Sequence, residues 1–271
     1  MSALLKLDGE TTKKVRRDAR AASRGVQGRG VEMFKERISA EAEDLVANLF
    51  PQKLSELDTF LQEECLNITD LVGLHSDLNI PIPEPVLITN SHDNALDNHQ
   101  GKKRKIAAEE DQCEGTKVYA FLNGMVQSNP KLVALIERIK PEIRTLMDKC
   151  NTVKMWIQLM IPKIEDGNNF GVSVQEDTVA ELRTVEGEAA SFLDQISRYY
   201  MSRAKLVSKV AKYPHVEDYR RTVDELDEKE YLSLRIIVSE LRNHYVILHD
   251  VITKNIEKIK KPRSANTDAL Y

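Results

Sequence analysis

The chain has 271 residues, of which 39 are basic and 43 acidic, and its net charge is −4. This balance disfavours a general nucleic-acid binder, and no run of about 18 apolar residues is present that could cross a membrane. The 11 glycines and nine prolines are too few for the frequent turns of a β-sandwich or barrel. The first residues, MSALLKLDGE, lack the apolar core expected of a signal peptide, and three widely spaced cysteines suit a reducing compartment. We therefore expect a soluble, intracellular, helical protein.

The first helical pattern covers residues 32–62 and follows an N-terminal segment, residues 1–31. Its apolar residues recur at steps of three and four, the period of one helix face. Pro51 lies inside this pattern, where its missing N–H and its ring predict a kink. The residues that form the stripe are Ile38, Ala42, Leu45, Leu49, Leu54, Leu57 and Leu61.

Residues 63–129 differ in character and are predicted to be a long linker. Pro81, Pro83 and Pro85 alternate with other residues, a pattern that favours an extended chain. The polar stretch over residues 90–115 has too little apolar area to order itself. Linkers of this length without secondary structure usually carry a function or are disordered.

Three further helices are predicted within residues 130–271. The second helix begins after Asn129, a capping residue followed by proline, and it ends at Pro162. Pro141 lies inside this helix and should bend it. The apolar positions follow a nearly heptad-spaced stripe that includes Cys150, so we expect Cys150 to be a buried, inert thiol.

The third and fourth helices follow the same period. Ser173 and Glu176 form a capping-box pattern that predicts the start of the third helix, which breaks at residues 213–215. The fourth helix opens near Pro214 and stops at Pro262. Four long amphipathic helices, one long linker and two short connections predict an all-α, up-and-down four-helix bundle. Apolar residues off the main stripes suggest a second buried face and hence oligomerisation; they are Val133, Trp156, Leu193, Tyr200, Val207, Ile236, Val238 and Val251.

Motifs that carry enzyme chemistry are absent from the sequence. It has no GxxxxGK[ST] or GxGxxG phosphate-binding loop, no GxSxG serine elbow and no HExxH zinc pair. A di-iron site in such a bundle needs Glu-x-x-His on two helices, and none of the six histidines has a glutamate three residues before it. A cysteine and a histidine could still meet in space, but nothing in the sequence favours such a pair. We therefore predict no enzyme activity, no cofactor and no metal.

The connection between the second and third helices carries the most unusual residues of the chain. Two residues suffice to join antiparallel helices, yet this segment presents an aromatic ring, two amides and an acidic pair. An ordinary helix connection is one interpretation, since glycine and asparagine tolerate left-handed backbone. The other is a functional loop held between two rigid helices. Its residues are Glu165, Asp166, Gly167, Asn168, Asn169, Phe170 and Gly171.

Several segments of the chain resemble a known family. They are ISAEAEDLVANLFP, LHSDLNIPIPEP, IPKIEDGNNFGVSVQE, KYPHVEDYRRTVDELDEKEYLSLRIIVSELRN and the ending KKPRSANTDALY. These segments resemble the 11S-type proteasome activators, and most closely the nuclear gamma type of that family. The resemblance covers residues 32–271 almost continuously and is looser over residues 93–115.

The resemblance implies a four-helix subunit that assembles into a homo-heptameric ring with a central channel. Such rings dock on the outer ring of the 20S proteasome without ATP, and peptides or unfolded chains pass through the channel. The resemblance assigns displacement of the gate to the loop, above all to Asn168. From the residues alone, a frayed terminus is the favoured interpretation of the C-terminal tail. The resemblance instead assigns docking to its last residues, Thr267, Asp268, Ala269, Leu270 and Tyr271.

Two basic segments remain to be interpreted. The quartet Lys102, Lys103, Arg104 and Lys105 is either a solvated charge cluster or, as the resemblance implies, a nuclear-import signal. We therefore expect the protein in the nucleus, with some in the cytoplasm. Residues 13–30 carry seven basic residues against one acidic residue and are additional to the family pattern. Because glycines weaken helix there, a mobile arm is predicted, either solvated or in contact with nucleic acid or an acidic partner.

The predicted function is ATP-independent activation of the 20S proteasome by a protein that is not itself an enzyme. A helical scaffold that recruits nuclear partners without opening a protease is the main alternative, and an undetected hydrolase is a third. An activator requires a free C-terminus and an intact loop. A scaffold tolerates a C-terminal tag, and a hydrolase acts alone.

Overall fold

The computed structural model describes residues 29–84 and 124–263, apart from residues 164, 166 and 168. Within these ranges the chain forms four long helices and short 3-10 segments, with no strand. The predicted all-α helical bundle is thereby confirmed. Helix α1 covers residues 29–62 and consists of α-helical residues 29–44, the π-helical Leu45–Leu49 and the α-helical Phe50–Gln62. The other three long helices are α2 (Pro130–Met160), α3 (Phe170–Lys212) and α4 (Glu217–Lys260). The 3-10 segments are Glu64–Leu66 and Leu71–Leu74.

Helix α1 continues through Pro51, where the sequence predicted a kink. Proline removes one hydrogen bond and its ring clashes with the carbonyl four residues earlier. The five residues before Phe50 are π-helical, which is one way in which a helix accommodates such an interruption. Helix α1 also includes Arg29 and Gly30. The prediction of a mobile arm over residues 13–30 is therefore wrong for these two residues. Residues 13–28 lie outside the described ranges.

The ends of α2 and α4 agree with the sequence predictions. Asn129 caps α2, because its Oδ1 accepts a hydrogen bond of 3.1 Å from Lys131 N. Pro162 and Pro262 each follow the last residue of their helix by two positions. Pro141 lies inside α2, which continues through it.

The start predicted for α3 is wrong by three residues, because this helix begins at Phe170 and not at Ser173. The Ser173 amide donates to Asn169 O at 2.9 Å, and its hydroxyl donates to Phe170 O at 2.8 Å. Ser173 therefore already lies inside the first turn and does not cap it. Phe170 and Gly171, which were predicted in the loop, belong to the helix.

The described chain divides into two compact units. Unit A contains residues 29–69, 135–196 and 232–263, and the apolar stripes of its helices form the core. Phe50 and Tyr245 are fully buried there, with their ring centroids 5.4 Å apart in an edge-to-face arrangement. Trp156 and Val238, predicted to lie off the main stripes, are core residues as well. Some of the apolar residues that lie off the main stripes are therefore buried in the core of the subunit itself.

Unit B contains residues 70–84, 124–134 and 197–231. Leu78 and Ile80 are buried in one cluster with Val210 and Val223, which belong to α3 and α4. Part of the segment predicted as a linker is thus packed against helices, because its leucine and isoleucine side chains remove apolar area from water. Residues 85–123 lie outside the described ranges.

Candidate functional site

In unit A, the loop between α2 and α3 lies against the residues that follow α4. Arg263 connects the two segments with three hydrogen bonds. Its Nη1 donates to Lys163 O and to Glu165 Oε2, both at 3.1 Å, and its Nη2 donates to Asn169 Oδ1 at 3.1 Å. One guanidinium therefore contacts the loop at both ends. We call residues 163–171 together with residues 261–263 the loop–tail junction.

Gly171 allows α3 to approach the chain that follows α4. A Cβ at this buried position would overlap the carbonyl group of Pro262 and would lie only 2.6 Å from its carbonyl carbon. Because the neighbour is backbone and not the end of a flexible side chain, only glycine fits without a shift of the chain. The close approach fixes the first turn of α3 against Pro262.

Gln175, one turn further along α3, joins the ends of two other helices. This side chain is fully buried, and its Nε2 donates to Ile259 O at 2.7 Å and to Met160 O at 3.3 Å. The last carbonyls of a helix lack intrahelical partners, so a buried amide that serves two helix ends satisfies both. Gln175 therefore ties the carboxyl ends of α2 and α4 to the start of α3.

The junction presents polar and aromatic groups to solvent. Phe170 is 71% exposed, and the Glu165 side chain is 61% exposed. Gly167 has a φ of +83°, the left-handed region in which glycine pays no steric cost. A rigid base that carries an exposed ring and a carboxylate is suited to contact another protein.

The structure brings together several predicted site residues and leaves others outside its described ranges. Asp166 and Asn168 lie outside, as do the tail residues 267–271 and the basic quartet 102–105, so their roles stay predictions. Sequence reasoning missed Arg263 and Gln175. The only signal for Arg263 was a basic residue just beyond a helix end, a pattern common to many helices. The predicted loop residues that the structure describes are Glu165, Gly167, Asn169, Phe170 and Gly171.

A separate polar cluster is buried in unit B. Asp227 is fully buried and accepts hydrogen bonds of 2.9 Å from Arg203 Nε, Tyr199 OH and Asn129 Nδ2. Burial raises the pKa of Tyr199, so its hydroxyl remains a donor. Arg203 Nη2 also donates to Ser76 Oγ at 2.8 Å. Because its donors satisfy the carboxylate, this cluster is a structural cross-link.

Among the described residues, we considered a reactive thiol and a metal site as possible features of an enzyme. Burial raises the pKa of the Cys150 thiol to about 12, so the thiol stays protonated and unreactive, as the sequence predicted. Histidine, cysteine and acidic side chains form no group of three that could hold a metal ion in the part of the chain that is described. None of its helices is both long and apolar enough to span a bilayer.

Comparison with known protein families shows that this chain is similar to proteasome activators. Residues 27–85 match the family "Proteasome activator PA28, N-terminal", and residues 125–269 match "Proteasome activator PA28, C-terminal". The proteins named proteasome activator complex subunit 3 from Gallus gallus and Homo sapiens are each 64% identical over 271 residues. The match covers 100% of this chain and 100% of each relative.

Solved structures show the same fold. The 11S subunit of the Plasmodium falciparum proteasome, PA28, is 30% identical with a TM-score of 0.65, over 87% of this chain and 93% of that one. A chain from the structure of an archaeal 20S proteasome–PA26 complex is 14% identical with a TM-score of 0.50, over 54% of this chain and 73% of that one. Because the sequence identity to the PA26 chain is only 14%, this similarity indicates a shared fold and nothing more.

The chain belongs to the PA28 family of proteasome activators. It is a regulatory protein and not itself a protease, which confirms the prediction that it is not an enzyme. The resemblance stated from the sequence segments is confirmed, and so is the activator function that it implied.

Proposed function

We propose that the chain forms a homo-heptameric ring that docks on the 20S proteasome through Thr267–Tyr271 and opens its gate, without ATP, through Glu165–Gly171. The observation that carries this proposal is the loop–tail junction. The segment that leads to the tail and the loop between α2 and α3 lie side by side, joined by Arg263. A loop and a tail that start from one place can reach the same partner surface.

The comparisons support the partner. The 30% identical relative is the 11S subunit of a proteasome, and the more distant PA26 was solved in complex with an archaeal 20S proteasome. The two family models match residues 27–85 and 125–269, and the second range contains the loop and most of the tail.

The binding energetics fit a ring. A short tail loses conformational entropy when it docks, so a single tail binds weakly. Seven tails on one ring raise the effective concentration of each following tail, and avidity then supplies the affinity. The loop needs little binding energy of its own, because it acts by favouring the open gate over the closed one.

The proposal places the protein in the nucleus, with some in the cytoplasm, and assigns nuclear import to the basic quartet Lys102, Lys103, Arg104 and Lys105. The quartet carries four positive charges in a polar stretch of the sequence, which is the composition of short import signals. Substitution of all four residues by alanine should move a fluorescently labelled chain from the nucleus to the cytoplasm. Unchanged nuclear accumulation would contradict this part of the proposal.

A tag experiment distinguishes the activator from a helical scaffold. The untagged chain and a chain with a bulky C-terminal tag are each sedimented with latent 20S proteasome without ATP. Of these two proteins, the proposal predicts co-sedimentation of the untagged chain alone, because the C-terminal tag removes the free end of the tail. The matched control carries the same tag at the N-terminus and should still bind. Equal binding of all three proteins would favour the scaffold.

A further inference from the structure

We propose that Arg263 is a positioning residue that holds the activating loop in place, an inference that rests on the proposed role of that loop. In this view the residues that follow α4 set the position of the loop through one side chain.

The first support is the way in which the guanidinium divides its donors. Nη1 and Nη2 of Arg263 reach a main-chain carbonyl at Lys163, a carboxylate at Glu165 and an amide oxygen at Asn169. These acceptors lie on both sides of the loop. The planar fork of arginine can serve such divergent acceptors, whereas the single ammonium group of lysine cannot hold them in the same geometry.

The second support is the rigid frame around Arg263. Gly171 packs against the Pro262 carbonyl so closely that a Cβ would overlap it, and Gln175 binds the Ile259 carbonyl one residue before the end of α4. The backbone that carries Arg263 is therefore fixed to α3 from two sides. Arg263 therefore presents its donors to the loop from a fixed position.

The energetics indicate that this contact positions the loop more than it stabilises the fold. Glu165 is 61% exposed and the Arg263 side chain 21% exposed, so solvent partly screens the pair and its contribution to stability is modest. Loss of the Arg263 side chain should therefore leave the ring intact and lower its thermal stability only slightly. The effect should appear in the loop and in the response of the proteasome.

The test compares Arg263→Ala and Arg263→Lys with the wild-type chain, each as an intact ring checked by native mass. Peptide hydrolysis by latent 20S proteasome is titrated with activator, and the maximal stimulation and half-saturating concentration are read separately. We expect Arg263→Ala to lower maximal stimulation by about fivefold, the scale of one net hydrogen bond, with little change in half-saturation. Arg263→Lys should give a smaller loss. Lys258→Ala, which removes an equal charge from an exposed position on α4 outside the loop–tail junction, is the matched control and should match wild type.

Hydrogen exchange on the free ring supplies a second readout. Amides of residues 163–169 should exchange faster in Arg263→Ala, because the loop has lost its clamp. Unchanged maximal stimulation together with unchanged exchange would overturn the proposal. A change confined to half-saturation would also overturn it, since Arg263 would then serve docking alone.

A parallel variant separates this inference from the proposed function. If Asn168→Tyr abolishes stimulation while Arg263→Ala does not lower it, only the positioning role of Arg263 is wrong. If Asn168→Tyr leaves stimulation intact, the proposed role of the loop has failed, and the positioning role of Arg263 fails with it.

Discussion

Gly171 and Gly187 lie in the same helix but have opposite surroundings. A Cβ at Gly171 would overlap the Pro262 carbonyl, whereas a Cβ at the exposed Gly187 would meet nothing within 4 Å. Gly171→Ala should therefore destabilise the protein by about 1–3 kcal/mol, the usual cost of overpacking. Gly187→Ala is the matched control and should stabilise it by about 0.5–1 kcal/mol, because alanine favours helix. Urea unfolding measures both, and equal effects of the two variants would contradict the close approach at Gly171.

Glu230 makes the stability of the protein depend on pH. Its side chain is 5% exposed and its Oε1 has no hydrogen-bond partner within the described structure. Burial, aided by the charge of Asp227 and opposed by Lys229, raises the pKa of Glu230 from 4.5 to about 7. The folded state thus binds a proton that the unfolded state releases above pH 4.5, so this group's contribution to stability falls between pH 4.5 and 7.

Glu230→Gln should remove this pH dependence. Relative to wild type, the variant should be more stable at pH 8 by about 1–3 kcal/mol, since it no longer buries a charge. The difference should vanish near pH 4.5. Thermal unfolding across this range measures it, with the exposed Glu225→Gln on the same helix as control. A constant difference at all pH values would show that the carboxyl does not titrate in this window.

At the scale of elements, the loop between α2 and α3 should determine activation separately from docking. Asn168→Tyr is expected to abolish stimulation of peptide hydrolysis, because the loop presents the contacts to the gate, while the ring still co-sediments with the 20S proteasome. The same substitution at the exposed Asn151 of α2 is the control. Full stimulation by Asn168→Tyr would contradict the assignment of the loop.

The helices were predictable because their signals are local. The apolar stripe of α2 repeats at the helical period, and Leu132, Ile139, Leu146 and Val153 are all fully buried. The start of α3 was not predictable from a capping box, because the first turn forms three residues earlier over Asn169. In that case the boundary departs from the local signal, because tertiary context often overrides local preference.

The sequence predicted the loop part of the loop–tail junction but not Arg263. The loop residues could be identified from their composition and from the family resemblance, because both signals come from residues that are adjacent in the sequence. Arg263 is about 100 positions from Lys163, and its contacts depend on where α4 ends relative to α2 and α3. No periodicity or motif encodes a single contact of that range, so Arg263 could be recognised only in the structure.

At the scale of the whole molecule, the tail should determine binding but not assembly. Deletion of residues 267–271 should leave a particle of about seven times the 30.8 kDa chain mass, because the tail serves docking and avidity. This particle should no longer co-sediment with the 20S proteasome. A chain of equal length with the last five residues scrambled is the control for length and should also fail to bind. Retained binding by the truncated ring would refute the role of the tail.

We propose that this member of the PA28 family opens the proteasome for peptides by itself. The most direct measurement is hydrolysis of a fluorogenic peptide by latent 20S proteasome, with and without the untagged protein, in the absence of ATP. We predict a several-fold rise that saturates with the concentration of the ring. No rise from a ring shown to be intact by native mass would contradict the claim.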